Sequence, residues 1–202
     1  MPRTSERGGP LTRRKISDVA TTLFLDRGFD AVTVADVARE AGVSSVTVFK
    51  HFPRKEDLLF DREEDAVEIL RSAVRDRASG AGVLASLREV AFRLVDDRHA
   101  LSGVKAGSIP FFRTVAASPA LIARAREIAS ELERALADLL EGDPKFGGDA
   151  ALFAALFIAG YATVLTGTAR RVIAAGSPDG VVDDHRERLE RLFDALRSGV
   201  AD

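Results

Sequence analysis

The chain has 202 residues, 46% of them hydrophobic and 30% charged, so it is long enough and apolar enough to bury a core. It contains no cysteine, which excludes disulfide bonds, thiolate metal ligands and a cysteine nucleophile. Its net charge is −2, but residues 1–55 carry ten Lys or Arg and six Asp or Glu, whereas the remainder carries nineteen and twenty-five. This basic head on an acidic body predicts an acidic partner for the N-terminal segment alone.

Residues 1–11 are rich in glycine, proline and arginine, a composition that predicts a disordered basic arm. No hydrophobic stretch follows their basic residues, as a secretory signal would require. We also interpret every apolar run in the chain as too short to span a bilayer. The expected location is therefore the cytoplasm, with no membrane partner.

Residues 12–54 are predicted to form a small bundle of three helices. An apolar stripe over residues 16–24 has helical spacing and predicts the first helix, which Gly28 ends. Thr33 followed by Asp36 resembles a capping box and predicts the start of the second helix.

The four residues 41–44, AGVS, predict a tight turn after the second helix, and Ser44 can cap a third helix that ends near Phe52. Two short helices joined by such a turn are typical of a helix-turn-helix. A helical wheel places Val48 and Phe52 on the packed face of the third helix. The opposite face is predicted to carry Val46, Thr47, Phe49 and Lys50. Lysine can donate to guanine, and valine or threonine can touch a thymine methyl group, so this face suits a DNA major groove.

Residues 55–202 are predicted to form a larger helical domain for ligand binding and dimerisation. Its helices are predicted at about 55–78, 83–94, 119–142, 149–174 and 182–196. The segment 100–118 is ambiguous, because two glycines and Pro110 would weaken or kink a helix there. No strand pattern stands out, so the predicted fold class is all-α, with about nine helices.

The segment from Ile16 to Leu58 resembles the N-terminal domain of the tetracycline-repressor-like (TetR) family of transcriptional regulators. The positions in register are the Gly-Phe after the first helix and Thr33, Ala38, Ala41, Gly42, Val43, Ser44, Thr47, Phe49, Phe52, Lys55 and Leu58. The resemblance implies a homodimer whose N-terminal domains bind successive major grooves of DNA. Together with the helical wheel, it assigns DNA contacts to Thr33, Ser44, Ser45, Val46, Thr47, Phe49, Lys50, His51 and Lys55.

Several of these residues also have a simpler interpretation. Thr33 can cap its helix without touching DNA, Lys50 and Lys55 can be ordinary solvated lysines, and His51 can be a packed structural residue. Members of the family often have tyrosine where this chain has Phe49, and a phenylalanine cannot donate a hydrogen bond to phosphate. The basic residues near the N-terminus are read as a solvated run that attracts phosphate, with a minor-groove arm as the alternative: Arg3, Arg7, Arg13, Arg14 and Lys15.

Aromatic residues in the larger domain suggest an effector pocket. The candidate ligand-binding residues are Phe111, Phe112, Arg113, Phe153, Phe157 and Tyr161. The kink expected at Pro110 favours a cavity, because an irregular helix packs less completely. The alternative is that the aromatic residues form plain core. The only histidines are His51, His99 and His185, and no two of them have metal-ligand spacing, so no cofactor is expected.

Small residues make the eighth predicted helix thin, and the ninth combines an apolar stripe with charges. The pair resembles the four-helix dimer interface of the family. The residues assigned to this interface are Gly160, Thr163, Gly167, His185, Leu189, Leu192, Phe193 and Leu196.

The sequence thus predicts a regulator rather than an enzyme. The expected protein is a ligand-responsive repressor that binds a near-palindromic DNA operator as a homodimer and is released by a small, largely hydrophobic effector. One alternative is an architectural DNA-binding protein without an effector. Another is an all-α enzyme whose basic head binds an anionic substrate, although no cysteine nucleophile, phosphate loop or metal cluster supports it.

Overall fold

The structure is a computed structural model that describes residues 5–199. The described residues form nine α-helices and no strand, so the predicted all-α class is confirmed. The helices are α1 (Ser5–Arg27), α2 (Val34–Ala41), α3 (Ser45–His51), α4 (Glu63–Arg75), α5 (Val83–Asp96), α6 (Ser108–Ala117), α7 (Pro119–Glu141), α8 (Ala150–Ala175) and α9 (Val182–Gly199). Short 3₁₀ turns lie at Glu56–Leu58, Ala100–Ser102 and Asp179–Val181.

The chain divides into two compact units. Unit 1 comprises the described residues up to Arg62 together with 114–124, and unit 2 comprises 63–113 and the described residues from 125 onward. The sequence instead placed the boundary after residue 54. Residues 114–124 join unit 1 through a buried ion pair, in which Arg124 Nε lies 2.7 Å from Asp57 Oδ1. Helices α6 and α7 therefore contribute residues to both units.

Unit 1 is built on the apolar stripe of α1. Ile16, Ala20 and Phe24 are fully buried, and they form one core with Val37 of α2 and Val48 of α3. Burial of such a stripe stabilises short helices that would be marginal in isolation. The predicted three-helix bundle is confirmed in this respect.

The start of α1 differs from the sequence prediction. Residues 5–11 are helical, where the composition predicted a disordered arm, and Met1–Thr4 lie outside the described residues. Pro10 lies inside the helix, where it removes one backbone hydrogen bond. The local composition therefore gives no signal for this part of the helix.

Two further helix boundaries differ from the sequence prediction. The fourth helix begins at Glu63 and not near residue 55, because the chain after Pro53 first forms the 3₁₀ turn at Glu56–Leu58. The ambiguous segment 100–118 contains a turn at Gly103, with φ of 80°, followed by α6. Pro110 is the third residue of α6, where its missing N–H would have no partner within the helix.

Helix α8 forms the centre of unit 2. Eight of its residues are buried, and Phe153 and Phe157 pack in a core to which α4, α5, α7 and α9 also contribute. By length and composition alone, α8 is apolar enough to cross a membrane, so the prediction that no run approaches that length is wrong. A helix buried in a protein core passes the same test, and 33% of the most apolar window of α8 is buried within this chain.

Candidate nucleic-acid interface

The turn between α2 and α3 has the geometry of a helix-turn-helix. Gly42 ends α2 with φ of 67°, a left-handed conformation that favours glycine, and its N–H donates to the carbonyls of Ala38 and Arg39. Ser44 then caps α3: its hydroxyl oxygen accepts from the Thr47 N–H at 3.1 Å and lies 2.9 Å from the Thr47 hydroxyl. The hydroxyls of Ser44 and Thr47 are thus engaged with each other at the first turn of α3.

Helix α3 presents the two faces that its sequence predicts. Val48 and Phe52 are each 1% exposed on the inner side. Val46 is 79% exposed and Phe49 50%, and Lys50 is exposed beside them. The helix carries no acidic residue, so nothing on this face repels phosphate. This outward face of α3 therefore suits a DNA groove.

Thr33 forms the predicted capping box of α2. Its hydroxyl donates to Asp36 Oδ2 at 2.5 Å, and its N–H donates to the same oxygen at 3.0 Å. These bonds, led by that of the Thr33 side chain and assisted by Arg39, hold the pKa of Asp36 well below its usual range. The single hydroxyl proton of Thr33 is therefore used inside the cap, and a phosphate contact from this residue stays a prediction.

Lys55 is directed into unit 1. Its Nζ donates to the Phe29 carbonyl at 2.6 Å and lies 4.1 Å from the centroid of the Phe29 ring. The side chain is half-buried, and this burial lowers the pKa of Lys55 below its usual value. Lys55 thus ties the loop after α3 to the chain that follows α1, whereas the sequence assigned it to DNA.

Arg13 contacts the C-terminal end of α3. Its Nη1 donates to the His51 carbonyl at 2.6 Å, and its guanidinium carbon lies 4.3 Å from the centroid of the Phe52 ring. The sequence grouped Arg13 with solvated basic residues, because nothing local indicates a partner 38 positions away. His51 is half-buried, and its backbone rather than its ring makes this contact.

The residues predicted to bind an effector are divided between buried core and surface. Phe153 and Phe157 are buried core, Phe111 and Phe112 pack edge to face, and Arg113 is exposed. Two surface clefts of about 590 and 480 Å³ are present in unit 2, and none of the six predicted residues lines either of them. The assignment of these residues to a ligand therefore stays a prediction.

Among these six residues, Tyr161 has a polar group buried in unit 2. Its ring lies 6.0 Å from the Phe157 ring, and its hydroxyl is buried without a hydrogen-bond partner. Burial raises the pKa of Tyr161 to about 12, so the hydroxyl is a neutral donor.

Half of the residues assigned to a dimer interface are core of their own chain. His185, Leu189, Phe193 and Leu196 are buried within unit 2 and cannot present their side chains to a partner. Gly160 and Gly167 do allow close approach, but the approach is between α8 and α9 of one chain. A side chain at Gly160 would overlap Leu192, and one at Gly167 would overlap the Arg188 guanidinium. Thr163 alone of the eight is exposed.

His185 forms a buried polar pair with Thr168. Its Nδ1 lies 2.7 Å from Thr168 Oγ1, and that hydroxyl donates to the Val164 carbonyl at 2.9 Å. The hydroxyl proton is thus used, so Nδ1 carries the imidazole proton and Nε2 is an acceptor, which has no partner. Burial, assisted by the nearby Arg188 and opposed by Asp184, lowers the pKa of His185 to about 4.

The N-terminal segment of the chain is similar to known proteins. Residues 16–61 match the family model described as bacterial regulatory proteins, tetR family. The HTH-type transcriptional repressor KstR2 of Mycolicibacterium smegmatis is 31% identical over 96 residues, which are 45% of this chain and 47% of the relative. The chain thus spans about half the length of the curated relatives it matches.

Solved structures share the whole fold at low identity. Thermus thermophilus FadR, a transcriptional repressor in complex with lauroyl-CoA, has a TM-score of 0.55 and 24% identity, covering 94% of this chain and 96% of that one. The SmeT–triclosan complex has a TM-score of 0.58 and 19% identity, covering 95% and 93%. Fold and interface together define an all-α protein with a helix-turn-helix head. Residues 16–61 therefore resemble the N-terminal domain of tetR-family regulatory proteins, and the solved structures share the fold over nearly the whole chain.

The position of Lys55 predicts that its main role is stability. Lys55→Met keeps the aliphatic stem but removes the bond to Phe29 and the charge over its ring, so the free energy of unfolding should fall by about 1–3 kcal/mol in urea titrations. Lys50→Met, on the exposed face of α3, is the control and should change it by less than about 0.5 kcal/mol. Unchanged stability in Lys55→Met, with a DNA-binding salt slope reduced by about one, would instead restore the phosphate contact.

The neutral His185 predicts a specific dependence of stability on pH. Because its pKa is about 4 in the fold against 6.5 ordinarily, protonation favours the unfolded chain. The stability that the neutral form provides is complete above pH 6.5 and is lost as the pH falls toward 4. His185→Gln does not titrate, so the difference in unfolding free energy from the native chain should be constant above pH 6.5 and shrink below it. A difference independent of pH would contradict the assignment.

Proposed function

We propose that this chain is a ligand-responsive transcriptional repressor that binds a near-palindromic DNA operator as a homodimer. The observation that carries the proposal is the outward face of α3, exposed and free of acidic residues, in a head that matches the tetR family model. KstR2 and FadR are named as transcriptional repressors, which supports a regulator over an enzyme. A cytoplasmic location follows from this role.

A second copy of the chain is proposed to cover the outer side of α8. Leu152 and Leu156 are 51% and 43% exposed, and the exposed Ala159, Thr163 and Thr166 continue the same helical stripe. Such an apolar stripe is more favourable when it is buried against an identical partner. A two-fold dimer would also place two α3 helices on two half-sites, as an inverted repeat requires.

The effector is proposed to be small, largely apolar and neutral at its polar group. Tyr161 packs against the cluster of Val95, Val104, Val164 and Leu189, and its hydroxyl is an unused buried donor. His185 Nε2 is an unused acceptor one helical turn before Leu189. Buried polar groups normally have partners, so both atoms are candidate anchors for a ligand. Complexes of FadR with lauroyl-CoA and of SmeT with triclosan support a bound small molecule in this fold.

The dense packing around Phe153 supports a second candidate function. Neither described cleft is lined by any of the six predicted ligand-binding residues, which fits a DNA-binding architectural protein with no effector. Both candidate functions assign DNA binding to the helix-turn-helix, and they differ only in whether unit 2 binds an effector.

Selection from random duplexes followed by titration tests the DNA-binding role. We expect an enriched inverted repeat and a slope of about −0.9 in log K against log salt for each phosphate neutralised.

Lys50→Ala should relax preference at one base pair per half-site, at a cost of about 1–3 kcal/mol there. Leu156→Asp should give monomers in light scattering and lose operator affinity, while the matched control Leu11→Asp, at an exposed position of α1, keeps the dimer. Absence of any enriched repeat would reject the proposed function.

A thermal-shift screen followed by operator titration tests the effector. A ligand of unit 2 should weaken operator affinity by about 5- to 150-fold, and the operator should weaken ligand affinity by the same factor. Tyr161→Phe removes only the unpartnered hydroxyl, so it should weaken the ligand by about 0.5–1.5 kcal/mol and leave DNA binding unchanged. Ligands that bind tightly yet leave operator affinity unaltered would reject induction and favour the architectural candidate.

A further inference from the structure

The centre of the DNA-facing surface is apolar. Five large hydrophobic residues are exposed in the described part of the chain, and two of them, Val46 and Phe49, lie on the seven residues of α3. They are three positions apart, so they are neighbours on one face of the helix. While both side chains remain in water, the favourable free energy of burying them is not gained. A partner with a matching apolar group would bury them and gain it.

The polar groups around this apolar centre are mostly engaged. The hydroxyls of Ser44 and Thr47 bond to each other, and Arg13 occupies the His51 carbonyl. Phe49 has a ring without a hydroxyl and can make only apolar or stacking contacts. Among the outward side chains of α3, Lys50 remains as the charged donor beside Val46 and Phe49.

We propose that Val46 and Phe49 read the 5-methyl groups of thymines in each operator half-site, an inference that rests on the proposed DNA-binding function. In the major groove, thymine alone among the four bases presents a methyl group, whereas the other edges present donors and acceptors. An α-helix with its side chains is about 10–12 Å across, which suits a major groove about 12 Å wide. Lys50 then adds a polar contact to a neighbouring guanine.

The alternative occupant of this face is the sugar–phosphate backbone. A ring packed on deoxyribose would strengthen binding to all sequences alike and would not distinguish thymine from uracil. The two possibilities therefore differ in one measurable property, the response to removal of a single methyl group from the DNA.

The experiment uses the full chain and the operator obtained by selection. Each thymine of the half-site is replaced in turn by deoxyuridine in both half-sites, which removes the methyl group and keeps the base pair. At one or two positions, affinity should fall about fourfold for each methyl group removed from the interface, the factor that corresponds to ~0.8 kcal/mol for a buried group of that size. Val46→Ala and Phe49→Ala should each abolish this discrimination at the thymine that the residue reads, because the methyl group then has no apolar partner to lose.

Two control variants separate this readout from a general weakening of binding. Leu11→Ala, at an exposed position of α1, should keep both the affinity and the thymine-to-uracil ratio. Lys50→Ala should lower the affinity and keep the ratio. All four positions are exposed, so circular dichroism should show every variant folded.

Three results would overturn the inference: a half-site without thymine, an operator indifferent to every deoxyuridine, or discrimination that survives in both Val46→Ala and Phe49→Ala. In each of these cases the operator is still bound, so the proposed function stands. Failure to select any operator is a different outcome, because it rejects the function itself.

Discussion

The fixed position of α3 is the constraint on which the interface depends. A helix of seven residues is too short to be stable alone, so its orientation is set by what holds its two ends and its inner face. Ser44 caps the N-terminal end, Arg13 donates to the C-terminal carbonyl of His51, and Val48 and Phe52 are buried between them. Because both ends and the inner face of α3 are held, its remaining side chains are directed away from the core of unit 1.

This arrangement uses several polar residues for structure that the sequence would assign to DNA. The hydroxyl proton of Thr33 bonds Asp36, and Lys55 bonds the Phe29 carbonyl. A buried charge is costly unless it is hydrogen-bonded, which explains why Lys55 lies over an aromatic ring and beside a carbonyl. The outward face is left with two apolar side chains and Lys50. On the proposed DNA-binding role, its discrimination between sequences then depends more on shape and methyl groups than on many hydrogen bonds.

The parts of the fold that the sequence predicts well are those set by neighbouring residues. The capping box at Thr33, the turn at Gly42 and the two faces of α3 all follow from spacings of three or four positions. The parts that it misses depend on distant pairs. Arg13 meets His51 across 38 positions, and Arg124 meets Asp57 across 67, which brings residues 114–124 into unit 1. A periodicity argument contains no information about such pairs, because each side chain looks solvated in its own segment.

The same distinction explains the errors in unit 2. Gly160 and Gly167 correctly indicate a close helix contact, but composition does not say which helix makes it, and here α9 of the same chain lies against both. Once that side of α8 is covered by Leu192 and Arg188, the apolar stripe at Leu152 and Leu156 is what remains for another copy. A helix that is buried on one side by its own chain and on the other by a partner must be apolar nearly all round. On the proposed dimer, the membrane-like composition of α8 is therefore the consequence of two-sided burial rather than of a bilayer.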